Sequence, residues 1–499
     1  MPPNAQKHTP HVLVFAYRPF DIRTLVFSGV IEEMANHVDV TLLVPTNLAD
    51  GLRQAAGSKA KVLALPAGLG KSRGDNSLSS DPVRGRRALN AMLALAAELT
   101  YASGDLPENA SGRIMRSEVA RSMKAKPWGK QLLDIATLAM ANAGGNCRCF
   151  RRAIQLGYRM TCHSSGFDAI LRDTSPDLLV TASAGLALDG QIMCAAKALQ
   201  IPIATVVQSW DKTSTKGYPP VHPDYMLVWS HLTRQEAIHY LDMPPEHVFV
   251  DGAPGWDSMF NASPSCTREE FLHKHGLAAD TANLIYVSLG YPAYHDGNLC
   301  LVKHLVEGLL TQAFPPRTGL LLRPHPAFHD EQQLLHQYHD IARSLPHGRA
   351  AMPIPVRVTY GADYFLDARD GQDLIDMFHH CDACVEVAST QMIEAAIFDK
   401  PIIDIAFGTW KTSIYDIPLK QLTLQHLERI FATNGVTRVF SPEHLAPTIA
   451  AELASPQRLK HEREQMVQQE VSVNRGTAAA AVAARLCELA EHGLGGPRE

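Results

Sequence analysis

The 499-residue sequence lacks several features that would assign it to a large functional class. No run of about 18 uninterrupted apolar residues is present, so no membrane-spanning helix is predicted. The N-terminal stretch MPPNAQKHTP has no apolar signal-peptide core, and the nine cysteines are scattered, which together favour a reducing, cytoplasmic setting. A net charge of −5 gives no global attraction for nucleic acid, so no nucleic-acid partner is expected.

Common cofactor motifs are also missing. The 23 histidines are dispersed without an H-E-x-x-H pattern, so neither a metal nor another cofactor is expected. No G-x-G-x-x-G follows a predicted strand, and the Gly68–Gly70 stretch lacks the third glycine, which disfavours hydride chemistry. The single C-x-x-C, Cys381 to Cys384, lies partly within an apolar strand, so we interpret both cysteines as packing residues.

The sequence does contain a repeated alternation of apolar strands and helices. With 46% hydrophobic and 19% charged residues, a chain of this length is expected to be globular with more than one domain. Alternating strands and helices predict parallel sheets, and a Gly/Pro/Ser-rich stretch at 252–267 separates two such series. The predicted strands are 11–17, 38–45, 61–66, 177–183, 201–208, 225–230 and 247–252, then 283–290, 318–324, 356–360, 382–389 and 401–407. We therefore predict an α/β chain of two Rossmann-like domains, residues 1–258 and 259–499.

Residues 113–159 differ from the rest of the chain in charge. They contain ten Lys or Arg against Glu118 and Asp134, with apolar residues interleaved. We predict a basic helical insertion at about 104–165 in the first domain. One interpretation is a pair of helices with a solvated basic face. The other is a contact with a membrane surface or a lipid-linked substrate.

The stretch R-P-H-P places polar side chains at the end of an apolar strand. Leu320–Leu322 reads as a buried strand, and the two prolines fix the backbone on either side of His325. Ligands of open α/β sheets bind at the carboxyl ends of strands. Arg323 is a further phosphate candidate, because a guanidinium pairs well with phosphate oxygens.

A second strand end in this half also carries hydroxyl groups. Ser389 and Thr390 follow an apolar strand and precede a predicted helix, whose free N–H groups favour an anion. Glu394, in the same helix, could accept hydrogen bonds from ribose hydroxyls. Ser288–Gly290 ends another strand, where small residues let backbone amides approach a phosphate. The alternative is that Ser389 or Thr390 only caps the helix and that Glu394 favours its dipole.

The order of these motifs resembles a known family. R-P-H-P, S-T-x-x-x-E-A and K-P-I-I-D-I follow one another in the second half, and S-W-D-x-x-x-x-K-G and P-D-x-x-x-V-W occur within 206–257. The chain resembles GT-B glycosyltransferases of bacterial surface-polysaccharide synthesis, including CDP-glycerol and Kdo transferases, and more distantly UDP-GlcNAc 2-epimerases. The likeness covers 177–410 well and 11–45 loosely. It departs from the pattern at Asp399, where a Gly often precedes K-P.

This resemblance implies two Rossmann-like domains facing a central cleft, with the nucleotide sugar bound by the second. His325, Ser389, Thr390 and Glu394 match residues that contact the donor's phosphates and ribose. No metal is implied, and His325 would serve as a hydrogen-bond donor to the leaving phosphate or as its general acid. The donor would be linked to CMP, CDP or UDP, and the last helix, at 476–492, would cross back to the first domain.

An inverting transferase also needs a base on the acceptor side. Asp211, in S-W-D-x-x-x-x-K-G, is the first candidate, although it could instead anchor its own turn through the amides of Thr213 or Ser214. Further acceptor-side candidates are Arg18, Asp21, Trp210 and Lys216. A retaining enzyme would need no such base, and the sequence leaves both courses open.

The function predicted from these observations is transfer of a sugar to a glycan or lipid-linked acceptor during synthesis of a surface polysaccharide such as capsule or lipopolysaccharide. The protein would then work in the cytoplasm, with peripheral attachment to the inner face of the membrane. Two alternatives on the same fold are a CDP-glycerol-type polyol-phosphate transferase and a nucleotide-sugar epimerase. A third is a non-catalytic nucleotide-binding protein.

Overall fold

The computed structural model describes residues 9–66, 69, 84–100, 110–123, 126–162, 165–183, 187–355, 357–360, 363–366, 368–411, 416–421 and 424–492. The chain divides into two compact units. Met1–Ser258 and Val471–Glu499 form the first unit, and Met259–Glu470 forms the second. Most of the Gly/Ser-rich stretch at 70–86, and Lys124 of the basic segment, lie outside the described residues.

The first unit is built on a seven-stranded parallel sheet in the order β3-β2-β1-β4-β5-β6-β7. Its strands are β1 (His11–Phe15), β2 (Asp39–Val44), β3 (Lys61–Ala64), β4 (Leu178–Thr181), β5 (Ile203–Val206), β6 (Tyr225–Val228) and β7 (Val248–Val250). Strands covered on both faces read as continuous apolar runs, which is why the sequence locates them well. Strand order reverses between β1 and β4, so this pair marks the topological switch point of the sheet.

Helices cover this sheet and form the insertion between β3 and β4. They are α1 (Pro19–Ile22), α2 (Val30–Met34), α3 (Thr46–Ala55), α4 (Arg84–Glu98), α5 (Ala110–Met123), α6 (Trp128–Asn146), α7 (Arg148–Thr161), α8 (Ser165–Thr174), α9 (Ala187–Ala198), α10 (Lys212–Thr215) and α11 (His231–Tyr240). The short helix α12 (Asp257–Phe260) contains the boundary between the two units in the chain. Helix α4 packs against both α6 and α7. A Cβ on Gly157 of α7 would lie 3.2 Å from Leu93, so the missing side chain allows this close approach.

The second unit contains a six-stranded parallel sheet in the order β10-β9-β8-β13-β14-β17, with its switch point between β8 and β13. Its strands are β8 (Asn283–Leu289), β9 (Thr318–Pro324), β10 (Ala350–Ala351), β11 (Arg357–Tyr360), β12 (Asp363–Leu366), β13 (Ala383–Glu386), β14 (Ile402–Ile405), β15 (Thr409–Lys411), β16 (Asp416–Pro418) and β17 (Thr437–Val439). Its helices are α13 (Arg268–Lys274), α14 (His295–Leu310), α15 (Gln332–Ala342), α16 (Ala368–His380), α17 (Gln391–Ile397), α18 (Gln425–Ala432), α19 (Leu445–Ala454) and α20 (Lys460–Glu470).

The last helix, α21 (Ala478–His492), belongs to the first unit and packs against α2. Its start is fixed by Asp257, whose carboxylate oxygens accept the N–H groups of Ala478 and Ala479 at 3.0 and 2.7 Å. A carboxylate at this position satisfies two amides that have no partner within the helix.

The two parallel sheets confirm the predicted α/β class, but one predicted strand has a different partner. The strand expected at 356–360 is β11, which pairs antiparallel with β12 outside the main sheet. The edge position beside β9 is occupied instead by the two-residue strand β10, which the local sequence does not predict. Nothing in a short alternating run specifies its partner, because pairing is decided by the tertiary structure.

Candidate functional site

Three neighbouring strands of the second unit end at the sheet edge where its switch point lies. Ser288 lies near the end of β8, and Arg323 lies near the end of β9 with His325 just beyond it. Ser389 and Thr390 follow β13, which pairs with β8 on its other side. The carboxyl ends of parallel strands meet at one edge, so the fold brings these predicted residues to the region where such sheets bind ligands.

His325 is held as a neutral imidazole with one defined tautomer. Its Nδ1 accepts the backbone N–H of Ala327 at 3.1 Å, so the ring proton is on Nε2. Burial and the nearby Arg323 lower the pKa of His325 to about 4, so the ring is uncharged at neutral pH. Its Nε2–H donates to no described residue, and the ring makes an edge contact with Tyr291. The residue therefore offers one oriented hydrogen-bond donor and no positive charge.

Ser389 caps the helix that follows it. Its hydroxyl oxygen accepts the N–H of Gln391 at 3.0 Å, which is the capping alternative that the sequence left open. The preceding residue, Ala388, has a positive φ of 44°, and its N–H is held by Asp404 Oδ1 at 3.0 Å. The chain thus makes a tight, fixed turn between β13 and α17, and Thr390 follows that turn directly.

The backbone amide of Gly290 was predicted to face a phosphate, but it is bonded within the protein. Its N–H donates to Asn298 Oδ1 at 3.0 Å, and the amide of Asn298 donates back to the Gly290 carbonyl at 2.9 Å. A Cβ at this position would lie 3.0 Å from the Tyr294 ring and 3.1 Å from the Val387 carbonyl. Close packing between the ends of β8 and β13 therefore accounts for the glycine.

Arg323 also differs from the expectation. Its Nη2 donates to Asp370 Oδ2 at 2.7 Å, and the two side chains are only 6% and 2% exposed. Nη1 contacts the sulfur of Met377 at 3.7 Å, so the guanidinium faces α16. This buried ion pair gives Arg323 a structural role instead of the predicted contact with a phosphate.

A polar row crosses the second sheet at the level of these strand ends. Ser288 and Arg323 are register partners, as are Glu386 and Asp404, and Asp404 and Arg438. Continuing the β8–β13 register by one residue aligns Ser288 with Glu386. Side chains of register partners share one face of the sheet, so the row lies on a single face.

Glu386 is a buried acid in this row that the sequence analysis did not single out. It is 0% exposed, and neither carboxyl oxygen has a hydrogen-bond partner of normal geometry among the described residues, although a contact with the Ser389 side chain lowers its pKa. Burial, and then the negative charges of Glu394 and Asp404, raise its pKa well above the ordinary range. Burial therefore favours the protonated carboxylic acid over the carboxylate. The available signal was a glutamate inside the apolar run C-V-E-V, where an unpaired charge would be costly.

The switch point of the first unit carries a second polar cluster. Arg18, just after β1, donates from Nε to Asp21 at 3.2 Å and from Nη2 to Asp189 at 2.7 Å. Both carboxylates are 0% exposed, and Asp21 also accepts the N–H groups of Tyr17 and Arg18. Arg18 Nη1 and one oxygen of each acid have no hydrogen-bond partner among the described residues. The predicted candidates Arg18 and Asp21 are therefore joined by Asp189, which the sequence analysis missed.

Two groups at this cluster have pKa values near neutrality. Burial raises the pKa of Asp189 to about 7, although the charge of Arg18 opposes this. Burial lowers the pKa of Lys212 to about 8, and its ammonium makes no ion pair with any residue in the described part of the chain. Lys212 lines a pocket with Ser183, Thr205 and Met226. An acid and a base that both titrate near neutrality are typical of proton-transfer sites.

Asp211 is engaged in its own turn. The Thr215 hydroxyl donates to Asp211 Oδ2 at 3.1 Å, and Lys216 Nζ lies 3.3 Å from the same oxygen. Lys216 is 48% exposed, whereas Trp210 is 2% exposed and part of the core. These contacts favour the turn-anchoring interpretation of Asp211, with the Thr215 hydroxyl as one of its partners.

Within the described ranges, no group of three or more His, Cys, Asp or Glu is arranged to hold a metal ion. The C-x-x-C thiols of Cys381 and Cys384 lie 3.6 Å apart and are buried, as expected for packing residues.

Comparisons with known proteins identify the fold. No protein-family model matches the chain, and no curated protein matches it in sequence. A solved structure of a candidate UDP-N-acetylglucosamine 2-epimerase from Listeria monocytogenes aligns over 99% of both chains, with a TM-score of 0.53 and 10% identity. Staphylococcus aureus MnaA, solved with UDP, aligns over 98% of this chain and 99% of its own, with a TM-score of 0.49 and 10% identity. A glycosyltransferase from Rickettsia africae aligns over 96% of this chain and 97% of its own, with a TM-score of 0.47 and 12% identity.

The Listeria monocytogenes structure supports a conclusion about fold alone, and the two lower scores add nothing to it. The chain has the α/β fold of two Rossmann-like units found in GT-B-type proteins, which confirms the fold predicted from the motifs.

Proposed function

We propose that this protein is an enzyme that acts on a nucleotide sugar, and that it transfers the sugar to an acceptor hydroxyl. The observation that carries the proposal is the neutral, oriented imidazole of His325, which follows β9 at the same edge of the Rossmann-like sheet as the Ser389–Thr390 turn after β13. A nucleotide diphosphate needs donors to its oxygens at such a point, and the ring supplies one.

His325 would stabilise the leaving phosphate through the Nε2–H. With a pKa of about 4 the ring is not charged at working pH, so it would act as a hydrogen-bond donor rather than as a general acid. Glu394, which is 3% exposed in the first turn of α17, remains the candidate for the ribose hydroxyls. Ser288 and Thr390 remain candidates for phosphate contacts.

Asp189 replaces Asp211 as our candidate for the base. An inverting transfer is fastest when the base has a pKa near the working pH, and the pKa of Asp189 is about 7. Two neighbouring sugar hydroxyls could donate to the unpartnered oxygens of Asp21 and Asp189 and accept from Arg18 Nη1. A phosphate or carboxylate would satisfy Arg18 only and would be repelled by both acids.

Epimerisation of the nucleotide sugar is the second candidate. It needs one group to remove a proton and another to return it, and the near-neutral pKa values of Asp189 and Lys212 suit that requirement. An epimerase would act without an acceptor. Proton NMR of the reaction separates the two activities, because transfer releases nucleotide whereas epimerisation changes the sugar signals without nucleotide release.

The test of the proposed function is calorimetric titration of the full chain with CMP, CDP, UDP, GDP and ADP, each without metal. One nucleotide should bind, and His325→Asn should weaken it about 10- to 100-fold, the value of a hydrogen bond to a charged group. Asparagine can still accept the Ala327 N–H but lacks the Nε2–H donor. The matched control is His336→Asn, an exposed histidine on α15, which should bind as the wild type does.

Absence of binding by every nucleotide would refute the proposal. Binding that His325→Asn leaves unchanged would refute the assignment of this residue. Binding without any turnover of nucleotide sugars would favour a non-catalytic protein.

A further inference from the structure

Large exposed apolar side chains are concentrated in one short part of the first unit. Among the described residues, fourteen large hydrophobic side chains are exposed, and seven of them lie between residues 128 and 160. These seven are Trp128, Leu132, Leu133, Ile135, Phe150, Leu156 and Met160. Single exposed apolar residues are ordinary on a protein surface, but a cluster of this kind marks an interaction site.

The exposed residues form stripes along two helices. On α6, Trp128, Leu132 and Ile135 are spaced i, i+4 and i+7, so they lie on one face of the helix. On α7, Leu156 and Met160 are spaced i and i+4. Trp128 is 71% exposed and Met160 is 69% exposed, which is unusual for such large side chains.

Both stripes face away from the protein core. The buried face of α7 carries Ile154 and Tyr158, which are 3% exposed. A Cβ on Gly144 of α6 would lie 3.0 Å from Thr100 and 3.3 Å from Ile154, so α6 is also closely packed on this inner side. Helix α4 packs against both helices, and α6 packs against α7; we call their two exposed stripes together the outer face of α6 and α7.

The outer face is also cationic. Residues 126–162 contain six Lys or Arg and a single acid, Asp134, which is buried and paired with Lys126 at 2.6 Å. Arg152 and Arg159 are exposed, lie on the same side of α7 as Leu156, and make no ion pair with any described residue. Apolar stripes are therefore flanked by unpaired positive charges, in a chain whose net charge is −5.

We propose that the outer face of α6 and α7 docks on the surface of an anionic lipid bilayer. Tryptophan, leucine and methionine enter the headgroup region favourably, and neighbouring Lys and Arg are attracted to anionic headgroups. No helix in the described part of the chain is long and apolar enough to cross a membrane, so the contact is with the surface. A second copy of the chain fits less well, because a symmetric contact would bring the same positive charges together. This inference goes beyond the proposed function and does not depend on it.

The test is co-sedimentation of the full chain with two kinds of vesicle, phosphatidylcholine alone and an equal mixture with phosphatidylglycerol. The protein should bind the anionic vesicles, and the emission of Trp128 should shift to shorter wavelength on binding. Arg152→Gln/Arg159→Gln should weaken binding roughly 25-fold, since each charge near an anionic surface contributes about fivefold. Leu156→Gln/Met160→Gln should weaken binding to both the charged and the neutral vesicles.

The matched control is Leu310→Gln/Phe440→Gln, which removes two side chains that are each 55% exposed in the second unit. This control should bind anionic vesicles as the wild type does. Circular dichroism checks that each variant is folded, and nucleotide titration without vesicles tests the proposed function separately.

Three results would overturn the proposal. The first is that the wild type does not bind anionic vesicles. The second is that binding is unchanged in both outer-face variants. The third is self-association in sedimentation velocity that Leu156→Gln/Met160→Gln abolishes, without vesicle binding, which would make the outer face a contact between copies.

Discussion

The buried ion pair of Arg323 and Asp370 predicts that Arg323 stabilises the fold and does not contact phosphate. The informative perturbation is a set of three variants, Arg323→Met, Asp370→Leu and the double variant. Each replacement keeps an apolar side chain of similar volume in a site that is 6% or 2% exposed. The single variants leave one buried charge without its partner, whereas the double variant leaves none.

The expected magnitudes follow from that difference. Removing one partner of a buried pair costs about 3–5 kcal/mol, while replacing both partners by apolar residues is often close to neutral. Asp370→Leu should be the more harmful single change, because Arg323 cannot give up its proton whereas an orphaned Asp370 can gain one. For a unit of roughly 200 residues, a loss of 3–5 kcal/mol corresponds to a decrease in Tm of about 10 °C.

The assay is differential scanning calorimetry of the full chain, followed by titration with the nucleotide that the wild type binds. The Tm of the double variant should lie above that of Asp370→Leu, and its nucleotide affinity should stay within about threefold of the wild type. The control pair is Arg343 and Asp340, which are 4.0 Å apart and 71% exposed, and whose replacement should cost about 1 kcal/mol or less.

Either of two results would refute the reasoning. The destabilisation of the double variant could equal the sum of the two single effects, in which case the partners are not energetically coupled. Alternatively, a folded double variant could lose nucleotide binding, in which case Arg323 contacts the phosphate after all.

Two further predictions concern buried acids. The pKa of Glu386 is raised in the folded state, so the folded protein keeps a proton that the unfolded chain releases above the ordinary Glu pKa. The free energy of unfolding therefore falls by about 1.4 kcal/mol per pH unit between the ordinary Glu pKa and the raised pKa of Glu386. Glu386→Gln should therefore be more stable than the wild type at neutral pH and equally stable near pH 4 in urea titrations; equal stability at both would contradict the buried, protonated state. Asp189→Asn should lower kcat about 10²- to 10⁴-fold and leave nucleotide affinity unchanged, whereas Asp211→Asn should have a much smaller effect. Wild-type kcat/KM should rise with pH up to about 7, the pKa of Asp189, and a profile that is flat there would exclude Asp189 as the base.

The sequence predicted the strands because parallel strands buried on both faces are continuous apolar runs. It also indicated that His325 follows a strand end, because two prolines there leave few backbone conformations, and in the structure the ring is fixed by the Ala327 amide. The start of α13 also depends on neighbouring residues, since Thr267 and Glu270 cap each other's backbone. Such features depend on residues that are close in sequence, so they can be predicted before the tertiary structure is known.

Long-range contacts account for what the sequence did not predict. Asp370 lies 47 residues beyond Arg323, and its pairing with the guanidinium exists only when α16 packs on the sheet. Asp189 reads as an ordinary acid in the first turn of a helix, and its raised pKa results from burial beside β1. The polar stretch 408–435 is not one helix: its described part contains the β15–β16 hairpin before α18, because strand pairing outweighs local helix propensity.

The packing of α21 against α2 has a consequence for the order in which the protein matures during translation. The second unit is continuous in the chain, so all of its residues have been synthesised before Val471 is added. The first unit is completed only after the second unit has been synthesised, because α2 packs against α21, and Asp257 binds the first amides of that helix. Domains generally fold as units as they emerge from the ribosome. The N-terminal sheet therefore emerges first but completes its packing last, and ribosome stalling or truncation before Ala478 leaves the buried face of α2 uncovered.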